Sequence, residues 1–198
     1  MTTTQRDRAA SLVQEHGTTF AQECGIAVER NTPAVLWQLL LMSHLLSSRI
    51  SHELAVRATR QVRKDFRTPA RLAAATQQQV HASLQRGHYL RTWQAATQLG
   101  ETAELVLSRY RGDLRGLRTR PDPLAALTEF NGIGEVGAEV FLREVQGVWT
   151  ELQPFAGDRA LDQADRLGLP RDARRLAGLV ADEDVPRLMA ALVRSSLS

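Results

Sequence analysis

The chain has one cysteine, Cys24, and one lysine, Lys64, in 198 residues. A lone cysteine excludes an internal disulfide and any iron–sulfur cluster held by four thiolates of this chain, and it fits a reducing compartment. A lone lysine leaves almost no side-chain amine for covalent chemistry. Of the 25 cationic residues the remaining 24 are arginine, whose guanidinium forks keep their protons and match phosphate geometry but cannot attack a carbon as an amine does. Long apolar runs are also missing. The greasiest stretch, Ala34 to Leu46, is broken by Gln38, Ser43 and His44, and the opening MTTTQRDRAA is polar, so no signal peptide or membrane span is expected. There is no Walker motif, no HExxH and no nucleophile elbow. His44 and His52 stand eight apart around Arg49, which is no metal-ligand spacing, and no second ligand pair follows, so no metal site is expected.

What is present is helical periodicity almost everywhere and strand alternation almost nowhere, which predicts an all-α protein. At 22.0 kDa and a net charge of +3, the chain can form one large domain or two small helical lobes and carries no polybasic tail. Pro33 behind Asn31 or Thr32 opens an apolar, hence central, helix through Leu46. A second helix is expected near 51–64, a short one after Thr68-Pro69, and a capping-box helix from Thr76 with Gln79 to about Leu84. A long helix carrying Leu90, Trp93, Ala96, Leu99, Ala103, Val106 and Tyr110 follows, with Gly100 as its weak point. After the basic connector at 111–123 and the segment 127–146, three short helices are expected near 159–167, 172–180 and 185–195, held by Leu176, Leu179, Val185, Leu188 and Leu192.

Residues 127–145 read LTEFNGIGEVGAEVFLREV: a short amphipathic segment, a turn on Gly132-Ile133-Gly134 and a second helix. This is the outline of a helix-hairpin-helix. Both glycines permit positive φ and close approach, so that successive amides at the start of the second helix can meet a phosphate oxygen, while Ile133 plugs the core. The apolar stripe Gly137, Ala138, Phe141, Leu142, Val145 leaves Glu135, Glu139 and Arg143 on the expected solvated face. The small residues would let the two hairpin helices lie close. A GxG before a helix is also an ordinary tight turn, and the remaining blocks decide between the two.

Those blocks are Leu39 to Val62, Gly87-His88-Tyr89-Leu90-Arg91, Phe130 to Ala138, and Arg166-Leu167-Gly168-Leu169. In this order they resemble the helix-hairpin-helix DNA glycosylase superfamily, of which endonuclease III is a branch, over about residues 33–169. The resemblance implies a two-lobed helical fold: residues 1–32 and 148–198 as a terminal lobe, and 33–147 as a helical-barrel lobe containing the hairpin at 127–146. It implies duplex DNA as partner, damaged or intact, a monomer, and a cytoplasmic, nucleoid-associated protein. Gly132, Ile133, Gly134, Glu135, Val136 and Gly137, with Arg49 and Arg91, become the DNA-binding set. Ser47, Ser48, His88 and Tyr89 become candidates for a lesion pocket or wedge. Arg111, Arg115, Arg118 and Arg120 join the phosphate-facing candidates. No cofactor is implied beyond a cation on the hairpin carbonyls.

The departures narrow the chemistry. Lyase-competent members carry a lysine two positions after the second hairpin glycine, and here that position is Val136, so no Schiff base can form there. Asn131 replaces a proline before the hairpin glycine, and Glu135 places a carboxylate at the mouth of the anion site. Members of the family use an aspartate shortly after the second hairpin helix to stabilise the cationic sugar. Counting back from Arg166 puts Gly157 or Ala156 at that place, whereas a short gap puts Asp158 there, with Asp162 further along. Asp158 reads equally as a plain helix cap. Two functions follow: a monofunctional DNA N-glycosylase without lysine-dependent lyase activity, or a catalytically inactive DNA-binding or damage-sensing protein of the same fold.

Overall fold

The computed structural model of the chain describes residues 4–48 and 50–197. Arg49 lies outside the described residues. Most of the helices begin where small hydroxyl and carboxylate side chains can take the first free amides. Thr4 and Thr19 form capping boxes with Asp7 and Gln22 at α1 (Gln5–His16) and α2 (Phe20–Glu23). Thr32 caps α3 (Pro33–Leu46), with Pro33 in the first turn. Ser51, Thr68 and Thr76 cap α4 (His52–Asp65), α5 (Pro69–Ala73) and α6 (Gln77–Arg86). The long α7 (Thr92–Tyr110) leads through a 3-10 turn at Leu114–Thr119 to α8 (Pro123–Thr128), capped by Asp122. Then come α9 (Glu135–Val145), α10 (Asp158–Arg166), α11 (Ala173–Ala177) and α12 (Val185–Ser195). Among the described residues there is no strand, so the all-α expectation holds.

α3 is central because it is apolar nearly all round: Leu36, Trp37, Leu39, Leu40, Met42 and Leu45 have no exposed surface. Fully burying each such side chain contributes about 1.5–3 kcal/mol. α4 packs on one side of α3 and α9 on another, while α5 and α6 pack on α7. α1 and α10 pack on α12, which also touches α9. α9 therefore stands where the two sets of helices meet. Leu176, Val185, Leu188 and Leu192 are fully buried and Leu179 partly so, which gives the C-terminal segment its apolar anchor.

The expected boundaries shift at four helices. α6 runs on to Arg86, and α10 and α11 cover 158–166 and 173–177. α7 passes through Gly100 without a break but starts only at Thr92, which leaves Leu90 outside it and 71 % exposed. Trp93, within α7, is 53 % exposed and stacks on His81 with ring centroids 3.8 Å apart. Leu90 precedes the helix, and Trp93 lies off the buried stripe of α7, which runs through Thr92, Ala96, Leu99, Ala103 and Val106. Among the described residues no helix is long and apolar enough to cross a membrane.

Candidate nucleic-acid interface

The hairpin is α8, a turn over residues 129–134, and α9. Gly132 takes φ +83°, the left-handed region that a side chain resists. A Cβ there would stand 2.2 Å from His44 Cε1, so the glycine answers a packing demand as well as a backbone one. Gly134 differs from expectation. Its φ of −86° is ordinary extended backbone, and a Cβ would meet nothing within 4 Å. Its absent side chain leaves open space in front of the amides of α9. Ile133 is 2 % exposed and fills the core beneath the turn, and its N–H donates to the Phe130 carbonyl at 3.0 Å. That leaves the carbonyl one lone pair with which to meet a cation.

Gly134 is the N-cap of α9 and offers no side chain to cap it. Among the described residues, no protein group accepts from the amides of Gly134, Glu135, Val136 or Gly137. Gly134, Glu135 and Val136 are exposed and Gly137 is buried. A cluster of unpaired N–H groups at the positive end of a helix is a site for an anion. A Cβ on Gly137 would crowd Ile133 Cγ2 at 3.1 Å within the hairpin, and also Ser47 Cβ at 3.3 Å and the Ser43 carbonyl oxygen at 3.4 Å. It lets α9 press against α3 as well as against the plug of its own turn.

Beside this turn lies a hollow of about 340 Å³ lined by Ser47, Ser48, Tyr89, Arg91 and the hairpin residues 132 and 134–137, with Gln94 and Gln98 from α7. Three segments nominated separately from the sequence thus meet at one surface. Tyr89 is 5 % exposed and its hydroxyl shares a hydrogen bond with Ser48 Oγ. Burial raises its phenol above the ordinary tyrosine value. Tyr89 therefore closes the hollow's floor and has no open ring face for stacking. His88, exposed at φ +60°, is the member of that pair presented to solvent. His44 is buried under the turn, and burial pushes its imidazole down to about 4, so it is neutral at physiological pH.

On the far side of Val136, which is 60 % exposed, a groove of about 490 Å³ runs between α9 and α10, lined by Glu135, Val136, Glu139, Asp158, Arg159, Asp162, Arg166 and Ser196. Asp162 is held by Arg171 at 2.8 Å. Asp158 is not a cap. Gly157 caps α10 without a side chain, and Asp158 is the first helical residue. The Asp158 N–H donates to Glu139 Oε1 at 3.2 Å. Glu139 is half-buried, and burial raises its carboxyl above the usual glutamate value, reinforced by the charges of Asp158 and Glu135. The loop that delivers α10 is clasped by Gln146, whose side chain accepts from the Phe155 N–H at 2.9 Å and donates to the Phe155 carbonyl at 3.0 Å.

Arg143 departs from the solvated face expected for it. It is 6 % exposed, hydrogen-bonded to the buried Glu144, and its guanidinium lies 4.9 Å from the Phe20 ring centroid. Glu144 also accepts from the Ala21 N–H at 2.8 Å, so this pair ties α9 to α2. Among the arginines, Arg115 forks onto Asp113 and Arg118 pairs with Glu151, which diverts both from phosphate. Arg91, Arg111 and Arg120 are exposed and form no ion pair among the described residues. Asn131 bonds Glu101. Among the described residues no group of three or more His, Cys, Asp or Glu could hold a metal. Burial pushes the Cys24 thiol up to about 12, which makes it inert.

No family model matches the chain, and no curated protein is similar to it in sequence. Solved structures are similar in fold. A non-covalent endonuclease III–DNA complex aligns with a TM-score of 0.60 at 15 % identity, over 95 % of this chain and 80 % of that one. A trapped endonuclease III–DNA covalent intermediate, an estranged-adenine complex, aligns with a TM-score of 0.54 at 16 % identity, over 78 % of this chain and 70 % of that one. The chain has an endonuclease III-like helical fold.

Proposed function

We propose that this chain binds duplex DNA and acts in base-excision repair as a monofunctional N-glycosylase. The observation that carries the reading is the row of unpartnered amides at the start of α9, open beside a hollow that three sequence segments build together. In this reading the amides of residues 134–137 hold a backbone phosphate, Arg91 adds a second contact, and a base swung out of the duplex enters the hollow. His88 stands where it can follow into the gap. The fold's likeness to endonuclease III complexed with DNA supports the same partner. The protein would act as a monomer near the nucleoid, with a cation at the hairpin carbonyls steadying the turn.

Val136 stands beside both cavities and has no amine, so bond cleavage here falls to water rather than to a Schiff base. The test is base release from duplexes carrying oxidised, alkylated or deaminated bases, paired with borohydride trapping. Release without an adduct is expected, and Val136→Lys should create a trappable adduct. A robust adduct from the unaltered chain overturns the monofunctional reading. The second reading, an inactive DNA-binding or damage-sensing protein, is favoured by one observation: Gly157 gives α10 no carboxylate where the family carries its aspartate. Binding without base release from any of these duplexes would select it.

A further inference from the structure

At the start of α10 the position that could carry a capping carboxylate is Gly157, with φ −74° and ψ 165°, a conformation open to any residue. The space a side chain would take there is already filled. A Cβ on Gly157 would lie 2.4 Å from Glu139 Oε2 and 2.6 Å from its Cδ. The glutamate reaches across from α9, accepts the Asp158 N–H at 3.2 Å, and faces the groove. A carboxylate from the body of α9 thus occupies the place beside the first amides of α10 that a side chain on its cap would take. Asp158, a candidate from the sequence, supplies the amide that holds this carboxylate.

We infer that Glu139 is the catalytic carboxylate of this protein, an assignment that rests on the glycosylase reading above. As the C1′–N bond breaks, its electron pair leaves with the base and positive charge grows on the sugar ring. The Glu139 carboxylate stabilises that charge and takes a proton from the water whose oxygen bonds to C1′; the proton ends on the departing base nitrogen, so water is the only co-reactant. Burial and the flanking Asp158 and Glu135 raise the Glu139 carboxyl, while the Asp158 amide and Arg143 oppose that shift. A group with that balance can receive a proton more readily than an exposed glutamate.

The test is binding to duplexes in which one nucleoside is replaced by a protonated pyrrolidine, a mimic of the cationic sugar, or by neutral tetrahydrofuran. Wild type should prefer the cation by about 10-fold or more, as transition-state mimics exceed ground-state ones. Glu139→Gln should lose that preference while keeping its tetrahydrofuran affinity. Where a base is released, Glu139→Gln should slow it by about 100-fold. Because Glu139→Ala clears the space beside residue 157, the Glu139→Ala/Gly157→Asp double variant should regain the preference that Glu139→Ala alone has lost. A purely structural Glu139 would not allow that rescue. A wild-type preference that survives Glu139→Gln overturns this assignment and leaves the glycosylase reading standing. A wild type with no preference overturns both.

Discussion

Among the described residues two helices begin on a bare glycine, and the two ends have been put to opposite use. At α9, Gly134 leaves four amides with no protein acceptor among the described residues, three of them on exposed residues. At α10, Gly157 leaves a similar opening, but Glu139 has entered it. Elsewhere Thr4, Thr19, Thr32, Ser51, Thr68, Thr76, Asp122 and Asp172 cap their own helices. An uncapped end awaits an anion from outside, whereas an end filled from a neighbouring helix offers fixed negative charge to whatever cation approaches. Val136 lies between the two, exposed to both cavities. The first end suits a phosphate and the second a sugar that turns positive.

The sharpest way to break the first end is to disturb the turn that aims it. Gly132→Ala combines left-handed strain with a clash against buried His44, and should cost about 3 kcal/mol of unfolding free energy in urea titrations. The same His44 makes that end sensitive to acid. Its imidazole titrates near 6.5 when unfolded and at about 4 when folded, so the unfolded chain takes up a proton first as the pH falls. Stability should therefore drop by about 3 kcal/mol between pH 6.5 and 4. His44→Gln should remove most of that slope; a slope unchanged in the variant would rule out the buried imidazole as its source.

Smaller effects sharpen the contrast. Gly134→Asp gives α9 an anion of its own, as α10 has. The backbone there accepts a side chain and the space is open, so the fold should persist while duplex affinity falls roughly 30-fold at moderate salt. Arg91→Ala should weaken binding about 5-fold and lower the slope of log affinity against log salt by about 1, because one phosphate contact is lost. An unaltered slope would place Arg91 away from the duplex.

The parts legible in the sequence are those set by local chemistry. The capping box at Thr76 and Pro33 behind Thr32 begin their helices as expected, and Ile133 fills the core beneath its turn. What was hidden depends on distance. Leu90 precedes α7 and Trp93 lies off its buried stripe, and no local signal separates an apolar residue kept at the surface from one in the core. Arg143 falls on a face that reads as solvated because its partners, Glu144 and Phe20, gather around it only after α2 packs on α9. Glu139 sits four residues after Glu135 on what reads as a plain solvated face. Its meaning depends on Gly157, eighteen residues away in sequence, lacking the side chain that would displace it. Counting back from Arg166 does point at Gly157; what a count cannot carry is that a neighbouring helix fills the gap.

The amides of residues 134–137 bear the central claim, and a 15N–1H titration of the 22.0-kDa chain with a short duplex reads them directly. Their resonances should move together on addition of DNA and return as salt is raised, with Gly134 and Glu135 moving most. Shifts confined to other surfaces, with these four amides unmoved at saturation, would contradict the account.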